Sequence, residues 1–314
     1  MSASKKRVVA LGECMIELRN VESGLMRQSF GGDTLNTAVY LARLAGSAFG
    51  VSYATAVGKN DPYSLAMLSS WEAEGIATDF VRRRANELPG LYTIQVDERG
   101  ERFFSYWRQN SAARNYFEGD LSPLEARLGE VDVFYLSGIS LAILPPAGRA
   151  RLFAAMETLR KRGAQVVFDN NYRARLWASA EEACRAYEIA YSLADLALVT
   201  LSDELEMQGA KGEAQMLERV AAYPCREVVI KRGAEPTEVR CEDGSRVTVA
   251  AERVAKVVDT TAAGDSFAAG YLAARLHGLA PEAAARAGNR LAATVIQHPG
   301  AIIPAAAMPS ALFA

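Results

Sequence analysis

Short apolar runs rich in β-branched residues recur along the chain and alternate with longer stretches whose apolar positions repeat every three to four residues. The short runs predict strands at 7–11, 51–57, 131–136, 165–168, 196–199 and 227–230. The longer stretches predict helices at 34–44, 62–73, 146–161, 180–193 and 213–222. Such alternation argues for an α/β protein, with a mostly parallel sheet covered by helices on both faces. Asp61-Pro62 supplies a capping carboxylate and a first-turn proline, and Asp33 offers the same kind of cap to the helix beginning near Thr34. The tail, 262–297, reads as two Ala-rich helices broken at His277-Gly278 and restarted by Pro281.

One region departs from this rhythm. The runs at 91–96 and 102–107 are aromatic and β-branched, and Asp97-Glu98-Arg99-Gly100 between them is a hairpin signal. Residues 15–27 predict a further strand nearby. This β element is either an edge extension of the main sheet or a small lid over a ligand pocket, and its aromatic content favours the lid. Trp107, alternating with Tyr106, should face away from Tyr106 and pack structurally.

Composition removes several options. Lys plus Arg total 35 against 37 Asp plus Glu, so no overall basic field exists to hold nucleic acid, and the run Arg82-Arg83-Arg84 is expected to be a solvated face. The four cysteines lack paired spacing, which argues for thiols in a reducing cytoplasm. Two histidines rule out a His-rich metal site. No apolar run is long enough for a membrane span, and Glu13 and Glu17 interrupt the N-terminal apolar stretch too early for a signal peptide.

The chemistry concentrates in VVDTTAAGDSFAAGYL (257–272), where a strand-like entry and small residues lead into a helix. Amides at Ala262, Ala263 and Gly264 would be uncovered at a helix N-terminus, which suits them to phosphate oxygens. Asp265 in the first turn is either a helix cap, stabilised as the anion, or a base; a loose phosphoryl-transfer transition state needs only a weak base. Near the N-terminus, Gly31-Gly32 precede a helix on which Asp33 and Asn36, one turn apart, can address adjacent hydroxyls of a polyol.

A Gly-Gly-x-x-x-Asn signature followed far downstream by DTTAAGDSF resembles the ribokinase-like (phosphofructokinase B) sugar kinases, over nearly the whole chain. The resemblance implies a three-layer αβα sandwich over 1–314 as one kinase domain, its β lid formed mainly by residues 13–30 and 88–110. It also implies ATP and Mg2+ as cofactors. Segments GECMIEL, FGGDTLNTAVYLARL, LPGLY, YWR, YLSGISLAIL and FDNNYRARLW narrow it to members that phosphorylate the terminal hydroxyl of 2-keto-3-deoxygluconate. Ala262 stands where many members carry glycine.

By that resemblance Asp265 is the base, with Ala262, Ala263 and Gly264 at the phosphates. Gly32, Asp33, Asn36, Tyr92, Tyr106 and Arg108 hold the sugar acid, with Arg108 on the carboxylate. Arg173 sits near the transferred phosphoryl group, although an ion pair with Glu181 or Glu182 is its plain structural alternative. Asn171, Ser202, Lys231, Gly233 and Asn289 fall on the nucleotide side. Where many members have Asn-x-x-Glu to organise magnesium through water, this chain reads Thr200-Leu201-Ser202-Asp203-Glu204-Leu205-Glu206, and Glu204 is the residue expected to act, with Glu206 behind it. Asp259 is expected to shape the loop. A fructokinase or ribokinase activity is the nearest alternative; a regulator that has lost catalysis is another. An exposed aromatic hairpin edge would suit a homodimer.

Overall fold

The computed structural model describes residues 5–22, 24–96, 102–210 and 212–313. Its strands are β1 (Lys6–Leu11), β2 (Met15–Glu22), β3 (Leu25–Gly31), β4 (Phe49–Gly58), β5 (Ile76–Ala77), β6 (Val81–Arg84), β7 (Leu91–Val96) and β8 (Arg102–Trp107). They continue with β9 (Val133–Ser137), β10 (Gln165–Asp169), β11 (Leu196–Thr200), β12 (Glu227–Lys231), β13 (Thr237–Cys241) and β14 (Arg246–Val249). The α-helices are α1 (Asp33–Leu44), α2 (Pro62–Ala73), α3 (Pro123–Ala126), α4 (Gly138–Ile143), α5 (Pro146–Lys161), α6 (Ala180–Leu193), α7 (Leu201–Gln208), α8 (Glu213–Ala221), α9 (Ala263–Leu276) and α10 (Pro281–Val295).

The main sheet runs β14-β13-β12-β11-β10-β9-β1-β4-β5, with β6 also paired to β4. It is parallel from β12 to β4, as the buried apolar runs predict, and both of its faces are covered. Successive residues of β1 serve opposite cores. Val9 and Leu11 pack with α5, α6, α7 and α8, while Val8 and Ala10 pack with α1, α2, α9 and α10. Three layers result, αβα.

Several details differ from the sequence expectations. β13 and β14 close one edge antiparallel and were not anticipated, being short and half polar. Arg82, Arg83 and Arg84 are not a solvated face: they form β6, and their guanidinium groups donate to Tyr116 O, Gly58 O and the carboxylates of Glu87 and Glu118. Asp61 caps α2 by accepting from Ser64 N at 2.9 Å. Asp33 does not cap α1; Gly32 occupies the cap position without a side-chain bond, and Asp33 is the first helical residue.

The β element is a separate four-stranded sheet, β3-β2-β7-β8, so it is not an edge of the main sheet. Residues 15–27 contribute two antiparallel strands instead of one. The Asp97-Glu98-Arg99-Gly100 turn lies outside the described residues. Trp107 points away from Tyr106 but packs against little, being 60% exposed. No helix among the described residues is long and apolar enough to cross a membrane.

Candidate active site

The loops after β1, β10, β11 and β12 leave the carboxyl ends of adjacent parallel strands, where open α/β sheets form their crevices. Together with the N-termini of α1 and α9 and the inner face of the small sheet they enclose a cavity of about 1610 Å³. That is larger than one small ligand fills, and it suits two substrates side by side.

Asp265 sits in the first turn of α9, with its carboxylate accepting from Asn36 Nδ2 at 2.8 Å. Thr37 Oγ1 donates to Asp265 O at 3.2 Å, which ties the starts of α1 and α9 together. Burial, reinforced by the charge of Asp33, pushes the Asp265 carboxyl up to about 8; the Asn36 bond pulls the other way, Asp169 adds to the rise, and Lys231 opposes it. Asp265 is therefore not the stabilised helix-cap anion that its first-turn position suggests, because desolvation outweighs the helix end. Asp33 accepts from Asn171 Nδ2 at 2.7 Å. Gly32 admits no side chain, since a Cβ there would meet Glu13 O at 2.0 Å.

Lys231, at the end of β12, is 8% exposed and donates to both oxygens of Asp169 at 3.1 and 2.9 Å. It is a buried ion pair on the cavity wall, close to Gly264. Burial raises the Asp169 carboxyl while Lys231 restrains it. Ala262, Ala263 and Gly264 line the same wall, but the Ala263 N–H is already given to Thr260 O at 3.2 Å. Ala262 adopts φ 60 and ψ 18, the left-handed region that favours glycine. Asp259 accepts from Thr261 N and Gly300 N, both at 2.8 Å, and so shapes this loop.

Towards the small sheet, Tyr92 and Tyr106 stack with centroids 5.6 Å apart, and Tyr92 donates to Glu17. Arg108 is buried and donates to the buried carboxylate of Glu13. Arg173 lies 3.3 Å from Asp203 and not beside Glu181 or Glu182. Three buried polar atoms of the site, Glu13 Oε1, Asn36 Oδ1 and Arg108 Nε, have no hydrogen-bond partner among the described residues. Such atoms cost free energy unless a ligand or water satisfies them, and their mix of donor and acceptors suits hydroxyl groups.

Residues 5–308 match the model of the pfkB family carbohydrate kinases. The chain belongs to that family. It is 48% identical over 309 residues to a 2-dehydro-3-deoxygluconokinase of Dickeya dadantii, covering 97% of this chain and 99% of that one. Its fold is similar to that of a 2-dehydro-3-deoxygluconokinase from Thermotoga maritima, with TM-score 0.82, 23% identity and 95% of each chain covered. A fructokinase from Xylella fastidiosa with bound ATP is similar too, at TM-score 0.81 and 23% identity, covering 97% of this chain and 95% of that one.

In this carbohydrate kinase the structure gathers most of the residues singled out from sequence. Gly32, Asp33, Asn36, Tyr92, Tyr106, Arg108, Asn171, Arg173, Lys231, Gly233, Ala262, Ala263, Gly264, Asp265 and Asn289 all line the one cavity. Asn289 accepts from Thr237 Oγ1 and donates to Ala250 O, so its amide is fixed by its own fold. Two residues do not join them. Ser202 is exposed on α7 and does not line the cavity. Glu204 turns into the protein, where Tyr191, Tyr223 and Asn170 donate to it. The helical phase of α7 explains both, because Asp203 and Glu206, three apart, share the cavity-facing side.

Sequence reasoning also missed Glu13, Asp169 and Arg175. Glu13 and Asp169 are carboxylates directly after and at the ends of apolar strands, a signal that was available. Arg175 stands in a short turn after β10, and only its contact with Tyr106 in space distinguishes it.

Proposed function

We propose that the protein is an ATP-dependent 2-dehydro-3-deoxygluconokinase that phosphorylates the terminal hydroxyl of the keto sugar acid. The observation that carries the mechanism is the Asp265 carboxylate, half-buried on the cavity wall, held by Asn36 and placed at the start of α9 beside the Lys231–Asp169 pair. The sugar acid binds beneath the small sheet, which acts as a lid. Asp33 and Asn36 take its hydroxyls, and Tyr92 and Tyr106 cover its apolar face.

Asp265 accepts the proton of the attacking hydroxyl. Its raised pKa favours this role, since a base near the working pH both exists as the anion and holds a proton once transferred. Lys231 and the N–H groups of Ala262 and Gly264 face the phosphates and stabilise charge that spreads over the phosphoryl oxygens, the Ala263 N–H being held by Thr260 O. Magnesium bound with the nucleotide would shield phosphate charge, and Asp203 and Glu206 are the wall carboxylates that fit a hydrated ion through its waters.

A coupled ADP-release assay tests the reading: the keto acid should turn over far faster than fructose or ribose. Equal turnover of neutral sugars would replace it with a fructokinase or ribokinase activity, and no turnover of any sugar would favour a regulator. The exposed Phe103 and Trp107 on the outer face of β8 further support a homodimer through the small sheet; a single-chain mass by light scattering at assay concentration would reject it.

A further inference from the structure

Behind the cavity wall, a row of buried hydroxyl groups runs beneath the starts of α1 and α9. Tyr135 lies on β9, between β1 and β10, and its side chain packs in the core shared by α1 and α9. Its hydroxyl stands 3.2 Å from Thr37 Oγ1 and 3.5 Å from Asp169 Oδ2. Thr37 Oγ1 in turn lies 3.2 Å from Asp265 O and 3.2 Å from Asp33 O. Tyr135 and Thr37 are 1% and 0% exposed, and neither lines the cavity. Their bonds are made in the low-dielectric interior, where a misplaced proton is costly.

Each hydroxyl carries one proton, and counting protons fixes the direction of the chain. Lys231 donates to both oxygens of Asp169, at 3.1 and 2.9 Å, so that carboxylate has little need of the phenol. The phenol proton therefore goes to the closer of its two neighbours, the Thr37 oxygen. Burial, with the carboxylates of Asp169 and Asp265 nearby, raises the Tyr135 phenol and keeps that proton on it. The Thr37 proton is left for a backbone carbonyl. A bond to Asp33 O stays within α1 and joins nothing, whereas a bond to Asp265 O joins α1 to α9. By occupying a lone pair of Thr37 Oγ1, the phenol restricts where the Thr37 hydrogen can point.

Asn36 precedes Thr37 on α1 and donates to the Asp265 carboxylate at 2.8 Å. Adjacent residues of one helix thus hold Asp265 by its side chain and by its backbone. We propose that Tyr135 and Thr37 are positioning residues for the transfer step, locking the start of α9 to α1 so that Asp265 faces the attacking hydroxyl. This rests on the reading of Asp265 as the base.

The test measures kcat, both KM values and the melting temperature of three variants with the keto acid and ATP. Tyr135→Phe removes one hydroxyl and keeps the ring, Thr37→Val removes the other at nearly constant volume, and Thr37→Ser retains it. The net worth of a neutral hydrogen bond corresponds to roughly 2- to 12-fold, and kcat should fall by that factor in Tyr135→Phe and in Thr37→Val. Both KM values should stay within about twofold, because neither hydroxyl reaches the cavity. Thr37→Ser should keep kcat within about twofold of wild type, since its hydroxyl offers the same donor and acceptor. The double variant Tyr135→Phe/Thr37→Val should lose little more than the worse single one, because the two hydroxyls act as one chain. In an Asp265→Asn background Tyr135→Phe should no longer change kcat, as no base is left to align. A lower melting temperature with unchanged kcat in Tyr135→Phe and Thr37→Val would make the hydroxyls merely structural and overturn the proposal. An equal fall in kcat with and without the Asp265 carboxylate would overturn it too. If Tyr135→Phe does not fold, Thr37→Val against Thr37→Ser decides by the same criteria. If Asp265→Asn alone keeps native kcat, the reading of Asp265 fails and takes this proposal with it.

Discussion

Replacing Asp265 by Asn removes the charge from the candidate base and keeps its shape. The Asn side chain can still accept from Asn36 through its oxygen, so geometry is conserved and proton transfer is not. General-base assistance contributes roughly 10²- to 10⁴-fold, and kcat in the ADP-release assay should fall by that much. The pH dependence provides an independent check. With the carboxyl raised to about 8 in the free enzyme, only about a tenth of it is ionised at pH 7, so kcat/KM should climb roughly tenfold from pH 7 to its plateau and fall with unit slope on the acid side.

Stability should move the opposite way. A folded-state pKa above the unfolded value of about 3.9 means that the folded state holds the proton more tightly, so this group's contribution is present at low pH and is lost as pH rises through about 8. Asp265→Asn escapes that loss. Its melting temperature should exceed that of wild type by several degrees at pH 9, and by less at pH 5. A variant with more than a tenth of native kcat, or a wild-type kcat/KM that is flat from pH 6 to 9, would refute Asp265 as the base.

Two further substitutions probe the walls of the same cavity. Lys231→Met strands the Asp169 carboxylate, 3% exposed, without its partner and should cost about 3–5 kcal/mol in urea unfolding. The deficit should shrink as pH falls, because burial already raises the Asp169 carboxyl and loss of Lys231 removes what restrains it; a deficit that does not change with pH would contradict a charge origin. Ala262→Gly relieves a left-handed conformation that costs an alanine about 1–2 kcal/mol and adds roughly 0.4–1 kcal/mol of unfolded-chain freedom, so a net gain between about 0 and 1.6 kcal/mol is expected in the same measurement. A net loss would mean that the Ala262 methyl makes contacts worth more than the strain.

Most of the frame was legible because buried parallel strands and their helices leave strong periodic signals. The helices beginning at Pro62 and Pro146 appear with the expected bounds, fixed by prolines that must stand at helix starts. What was illegible depended on pairing in space. β6 was hidden because three consecutive arginines read as solvent-facing, yet each finds an acceptor on a neighbouring loop. Glu204 was placed ahead of Glu206 because spacing along the chain cannot fix helical phase to a single residue without knowing where α7 begins.

The same limit governs charge. A sequence shows that Arg108 is cationic but not that Glu13, 95 residues away, already answers it. It shows Asp265 beside a helix start, where the local field favours the anion, but not the depth of burial or the neighbouring Asp33 that reverse the preference. Asp33, Asp169 and Asp265 are drawn to one cavity with Lys231 as the buried cation among them, an arrangement that destabilises the fold but keeps one carboxyl able to exchange a proton near neutral pH. Such conflict between stability and site chemistry is what a catalytic centre retains and a structural helix cap would not. The stabilising effect expected of Asp265→Asn therefore tests more than a pKa, since it asks whether the candidate base is held there against the preference of the fold.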